Sequence, residues 1–247
     1  MYIEGHTHLD FFKDKINIAI EEINQNEILT LANSMDIESY ELNKEFAKRS
    51  KYIIPSFGIH PWKAKDFKGN LEDLNKYIKE SKLIGEIGLD FFWEEDKSTY
   101  EKQKEIFYYI LEESIEENKF ISMHTKGAEE EIYNSLKGLN YNKVIVHWYS
   151  GDIKILEKFI ELGCYFTISV DIGYSKLSET ILSMIPLDRL LLETDGPTAL
   201  EWVNGEYGYP KCIIDVYKKV ADLKNISLEE LESIIEKNIG SIINFKF

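Results

Sequence analysis

The chain has 247 residues, 44% hydrophobic and 13% aromatic, with 29 basic against 44 acidic side chains and a formal charge of -15. That length and apolar content suit one large folded domain and exclude a disordered chain. The acidity argues against a protein that grips long duplex DNA on a broad basic face, but not against a nuclease whose local positive charge comes from divalent cations.

No stretch approaches the roughly 20 apolar residues of a membrane span, and the N-terminus lacks the basic segment and apolar core of a signal peptide. A cytoplasmic location is expected. Cys164 and Cys212 fall in no ligand-like spacing and are expected to be reduced, structural thiols.

In chain order, eight short runs have β character: "YIEGHTHL", "EILTLANS", "YIIPSFGIHP", "LIGEIGLD", "FISMHTK", "KVIVHWYS", "CYFTISV" and "LLLETDGP". Most are apolar throughout, as expected of a parallel sheet covered on both faces. Helical patterns lie between them. In residues 99–118, Phe107, Ile110, Leu111 and Ser114 share one face. In "GDIKILEKFIELG", Asp152 suits an N-cap and Gly163 a left-handed C-cap, with Ile155, Leu156, Phe159 and Ile160 as the stripe between them. Ser227 and Glu230 stand at capping-box spacing.

Eight strands alternating with helices predict a (β/α)8 TIM barrel occupying residues 1–247 as a single domain, with no linker or low-complexity segment to divide it. The competing fold, an open doubly wound sheet, lacks the G-x-G-x-x-G expected after its first strand.

All five histidines, His6, His8, His60, His124 and His147, lie at or near the C-terminal ends of proposed strands. Glu86 and Asp195 share that position. In a barrel these ends converge on the rim where active sites of the fold are built. Singly, each residue has a plain structural explanation: Glu86 paired with a lysine, Asp195 shaping the turn before Pro197, His147 satisfied in the core. Jointly they point to a metal centre, because an ionised carboxylate in an apolar strand is costly unless it is paired or bound to a cation. Nitrogen and oxygen donors without thiolates suit zinc, manganese or magnesium. The number of donors exceeds what one tetrahedral ion needs, so two divalent ions are expected, with Glu86 able to bridge them.

The segments "GHTHLD", "GIHP", "GEIGLD", "MHTK", "HWYSG" and "LLLETDGP", in this order, resemble the TatD-like deoxyribonuclease family of metal-dependent hydrolases, as do Gln103, Phe107 and "IPLDR". The resemblance covers nearly the whole chain and implies an amidohydrolase-like barrel with a two-metal site. It places His6, His8, Glu86 and Asp195 around one ion and Glu86, His124 and His147 around the other, and sets His60 beside them to contact substrate or orient a ligand. It implies phosphodiester hydrolysis by metal-activated water, with Glu86 and Asp195 as catalytic residues and Asp195 as proton acceptor.

Two departures bear on substrate. Lys126 stands where the family usually has arginine, and it cannot make a planar bidentate contact with phosphate. "TALEWVNGEYGYP" replaces the family's Asn-Pro after "ETDGP". The four tryptophans, Trp62, Trp93, Trp148 and Trp202, follow strands on the catalytic side, and Trp93 and Trp202 are expected to join His60 and Lys126 in contacting substrate, where nucleobases could stack. The expected substrate is DNA, attacked from chain ends, or short oligonucleotides; no obligate protein partner is evident. A small carboxylic ester or amide is the alternative substrate, and a metal-stabilised binding module is the non-enzymatic one.

Overall fold

The computed structural model describes residues 1–243. Eight parallel strands follow one another in sheet order: β1 (Ile3–Thr7), β2 (Leu29–Asn33), β3 (Ile53–Phe57), β4 (Leu83–Gly88), β5 (Phe120–His124), β6 (Val144–Val146), β7 (Tyr165–Ile168) and β8 (Leu190–Leu192). Helices fill the connections: α1 (Ile16–Gln25), α2 (Ile37–Ala47), α3 (Asn75–Glu80), α4 (Tyr100–Glu116), α5 (Glu129–Gly138), α6 (Ile153–Leu162) and α7 (Lys176–Met184). After β8 come the short α8 (Thr198–Asn204), then α9 (Ile213–Lys224) and α10 (Leu228–Ile242).

The sheet curls into a nearly closed TIM barrel. At the seam, Asp195 N–H donates to His6 O at 3.0 Å and His8 N–H to Gly196 O at 3.1 Å. These bonds run from the end of β1 to the segment just past β8, which an open sheet with those strands on its edges could not make. His6 Nδ1 also lies 3.0 Å from Ser122 Oγ, joining β1 to β5 across the barrel interior.

Every predicted run contains one strand, and the strands are buried on both faces as their composition requires: all five residues of β1 and all six of β4 are inaccessible. The helix patterns hold with one refinement. Phe107, Ile110, Leu111 and Ser114 of α4 are buried together. Asp152 accepts the N–H of Lys154, Gly163 takes φ 90°, and Ser227 accepts the N–H of Glu230. On α6, however, only Leu156 and Phe159 are fully buried, and Ile155 and Ile160 flank the contact half-exposed.

Two motif glycines set how closely the functional strands approach. A Cβ on Gly58 would stand 2.3 Å from Glu86 O, and one on Gly88 1.9 Å from His124 O. Any side chain at either place would push a rim strand away from its neighbour. Both cysteines are free, and no helix among the described residues is long and apolar enough to cross a membrane.

Candidate metal centre

The five histidines arrive from four strands and meet at one carboxylate. Glu86, on β4 and almost wholly buried, has His6 Nε2 at 3.3 Å and His8 Nε2 at 3.2 Å from Oε2. Its Oε1 faces His124 Nδ1 at 2.8 Å, His147 Nε2 at 2.9 Å and His60 Nε2 at 3.5 Å. Burial alone would raise the Glu86 pKa; the surrounding imidazoles, His60, His147 and His6 foremost, outweigh it and hold the group well below the usual carboxylate range.

Asp195 closes the cluster from the opposite side, its Oδ1 3.5 Å from His8 Nε2 and 3.9 Å from His6 Nε2. The residue sits at φ 45°, a left-handed conformation that aspartate adopts more readily than most residues. Its N–H bond to His6 O fixes that conformation and keeps the partly exposed carboxylate turned into the pocket.

The second ring nitrogens decide which imidazoles present a lone pair. His8 Nδ1 faces the backbone carbonyl of Asn33 at 3.2 Å, so its proton resides there and Nε2 is left as a donor toward a cation. His147 Nδ1 lies 3.3 Å from Glu193 Oε1, the carboxylate–histidine pairing that orients a metal ligand. His124 is turned the other way: Nε2 bonds Asp90 Oδ2 at 2.8 Å, and Nδ1 faces the cluster. His60 differs from all of these. Its Nδ1 accepts the N–H of Trp62 at 3.1 Å, which in the neutral ring puts the proton on Nε2. That nitrogen faces Glu86 Oε1 at 3.5 Å, and the donor atoms of His60, Glu86 and His124 also lie within 4.8 Å of one another; burial pushes the His60 pKa down to about 4, keeping the ring neutral.

The donor chemistry fits a divalent ion. Candidate ligand atoms of His6, His8 and Asp195 lie within 4.8 Å of one another, as do those of His6, Glu86 and His147. The two Nε2 atoms of His6 and His8 are 3.4 Å apart. Lone pairs brought together in this way, with each ring steered from behind, match the outer-contact pattern of metal sites.

Of the residues expected from sequence, His8, His60, Glu86, Trp93, His124, Lys126, His147, Asp195 and Trp202 line one pocket of about 220 Å3, and His6 lies buried behind its wall, within 3.4 Å of His8 and 3.3 Å of Glu86. Lys126 does not project freely into it. Its Nζ donates to Trp148 O at 2.8 Å and Ser150 Oγ at 2.6 Å, so two of its three protons hold the segment after β6, where Trp148 takes φ 35°. Trp202 lies on α8 and not in an irregular loop.

Sequence reasoning missed the residues behind the cluster. Asp90, fully buried, accepts from His124, from Trp62 Nε1 at 2.8 Å and from the backbone N–H groups of Phe92, Trp93 and Glu94. Gln103 on α4 locks it in place by accepting the Asp90 N–H at 2.9 Å. Glu193 stands two residues before Asp195, and that period of two was the available signal for it. Glu4, likewise two residues before His6, accepts from His6 N and Thr194 N.

The sequence model of the TatD related DNase family matches residues 3–244. An uncharacterized metal-dependent hydrolase of Buchnera aphidicola subsp. Baizongia pistaciae is 29% identical over 257 residues, covering 98% of this chain and 96% of its own. The uncharacterized metal-dependent hydrolase YabD of Bacillus subtilis is 30% identical over 205 residues, covering 78% of each chain. In fold, the crystal structure of YjjV, a TatD homologue from Escherichia coli K12, aligns with TM-score 0.88 and 21% identity over 99% of this chain and 98% of that one. The chain belongs to the TatD related DNase family and is a metal-dependent hydrolase.

Proposed function

We propose that the barrel mouth holds two divalent cations, zinc, manganese or magnesium, and hydrolyses phosphodiester bonds at the ends of DNA chains. The observation that carries this reading is the convergence of five imidazoles on Glu86 with Asp195 facing them. His6, His8, Glu86 and Asp195 would hold one ion, and Glu86, His124 and His147 the other. Bound there, such ions supply Lewis acidity that lowers the pKa of water and offsets charge gained by phosphoryl oxygens.

The chain's own groups do the rest. The partly exposed carboxylate of Asp195 accepts the proton released by the attacking water. His60, neutral and protonated on Nε2, donates a hydrogen bond at the pocket wall beside Glu86. Lys126 offers its third proton to a phosphoryl oxygen, while Trp93 and Trp202, both more than half exposed, offer faces for terminal bases.

The test is nucleotide release from end-labelled single-stranded DNA by metal-stripped protein to which magnesium, manganese or zinc is added. Wild type is expected to release label with at least one metal and Glu86→Ala to release none. Retained turnover in Glu86→Ala would remove the proposed role of Glu86. Silence of the wild type with every metal, from folded protein shown to bind the ions, favours a carboxylic ester or amide substrate. That second reading draws on Lys126, whose ammonium is largely committed to Trp148 and Ser150.

A further inference from the structure

Adjoining the catalytic pocket is a second space of about 690 Å3 walled by Trp62, Trp93, Trp148 and Trp202 with Glu94 and Val203. All four indoles also line the catalytic pocket, so the two spaces share these walls. The volume is that of a site for a drug-sized molecule. The walls are rich in flat apolar surface: among the described residues, Lys126 is the one lysine or arginine on either wall, beside the imidazoles of the centre and against Glu86, Asp171, Asp195 and Glu94.

Proteins that track single strands combine stacking faces with a positively charged groove for successive phosphates. Here the stacking faces are present without that groove. The lysines of the segment after β3 and the facing Lys102 lie outside both walls and have local partners: Lys63 with Asp36 at 3.5 Å, Lys65 with Glu94 at 3.4 Å, Lys68 with Lys65 O at 2.6 Å and Lys102 with Glu105 at 2.8 Å. A substrate seated here finds charge compensation for one phosphodiester at the centre and stacking for the bases on either side of it. Phosphates further along meet carboxylates and a chain of charge -15.

Resting on the phosphodiesterase reading, we infer that among chains cleaved from their ends the preferred substrates are di- and trinucleotides, with longer DNA cleaved less efficiently. Efficiency is set by base stacking around a single phosphodiester, with no gain from added length.

The experiment is kcat/KM of the metal-loaded protein on di-, tri-, hexa- and dodecathymidylate, each at low and moderate salt. The expected result is a maximum at two or three nucleotides. For the dinucleotide, a fall of no more than about threefold between about 50 and 200 mM salt is expected, the change that one single-strand phosphate contact produces. Efficiency that climbs tenfold or more from dimer to dodecamer, or that collapses with salt as multiple phosphate contacts require, overturns this inference and leaves the phosphodiesterase reading standing. Hydrolysis at no length overturns both.

Discussion

The floor and the wall of the catalytic mouth are built on opposite principles. On the floor, Glu86, His6, His8, His124 and His147 are nearly inaccessible, and each imidazole is fixed at its second nitrogen by Ser122, Asn33, Asp90 or Glu193. On the wall, Trp93 and Trp202 are 62% and 66% exposed. Buried ionisable groups are tolerated only when their partners are complete, so chemistry and stability are inseparable on the floor. An exposed indole costs the fold little, so the wall can change without the barrel noticing. Under the proposed function, the floor specifies the reaction and the wall selects the substrate.

Removing metal should break the floor and spare the wall. Exhaustive chelation is expected to reduce turnover by about three orders of magnitude or more, with recovery on adding back a divalent ion. Because the ion binds only the folded chain, thermal unfolding should shift upward with metal, by about 2.7 kcal/mol of added stability at a hundredfold excess over Kd. Turnover that survives chelation would mean that the donor cluster is structural only. Asp90→Asn sharpens the comparison, because Asp90 joins the two regions: Oδ2 receives both His124 Nε2 and Trp62 Nε1. An amide turned to keep the three backbone N–H bonds on its oxygen presents NH2 to two donors. The expected result is a loss of about 10- to 100-fold in metal affinity or activity. An unchanged metal affinity, measured by titration, would show that His124 is held without Asp90.

How much of this could be read in the sequence follows the same division. Strand-end positions are fixed by a topology that eight apolar runs announce, so the rim location of the five histidines, Glu86 and Asp195 is legible in the sequence. The tautomers are not, because they depend on partners far away in the chain: Asn33 for His8, Glu193 for His147, and the Trp62 N–H that separates His60 from the other four. Asp90 is hard to single out because "GLD" reads as the end of a strand, and its five acceptor bonds depend on the fold: three form when the segment 91–94 folds back over it, and two come from the distant Trp62 and His124. Lys126 reads as a phosphate contact by position, but Trp148 and Ser150 claim most of its donors, an arrangement created by the left-handed turn after β6.

The smallest predicted effect is the one that most directly separates wall from floor. Trp202 projects from α8, a helix of seven residues closed by Gly205 at φ 84°, and its ring is two-thirds exposed. Truncation to alanine removes surface that the barrel does not bury, so the unfolding midpoint of Trp202→Ala is expected to match wild type, and so is its metal affinity. If a base stacks there, the loss is about 1 kcal/mol or somewhat more in substrate binding, a rise of roughly fivefold or more in KM with kcat little changed. A fall in kcat at constant KM would place Trp202 in the transition state's surroundings and blur the division. Unchanged KM for every oligonucleotide, with folding intact, would remove this indole from substrate recognition and leave Trp62, Trp93 and Trp148 as the stacking faces of the wall.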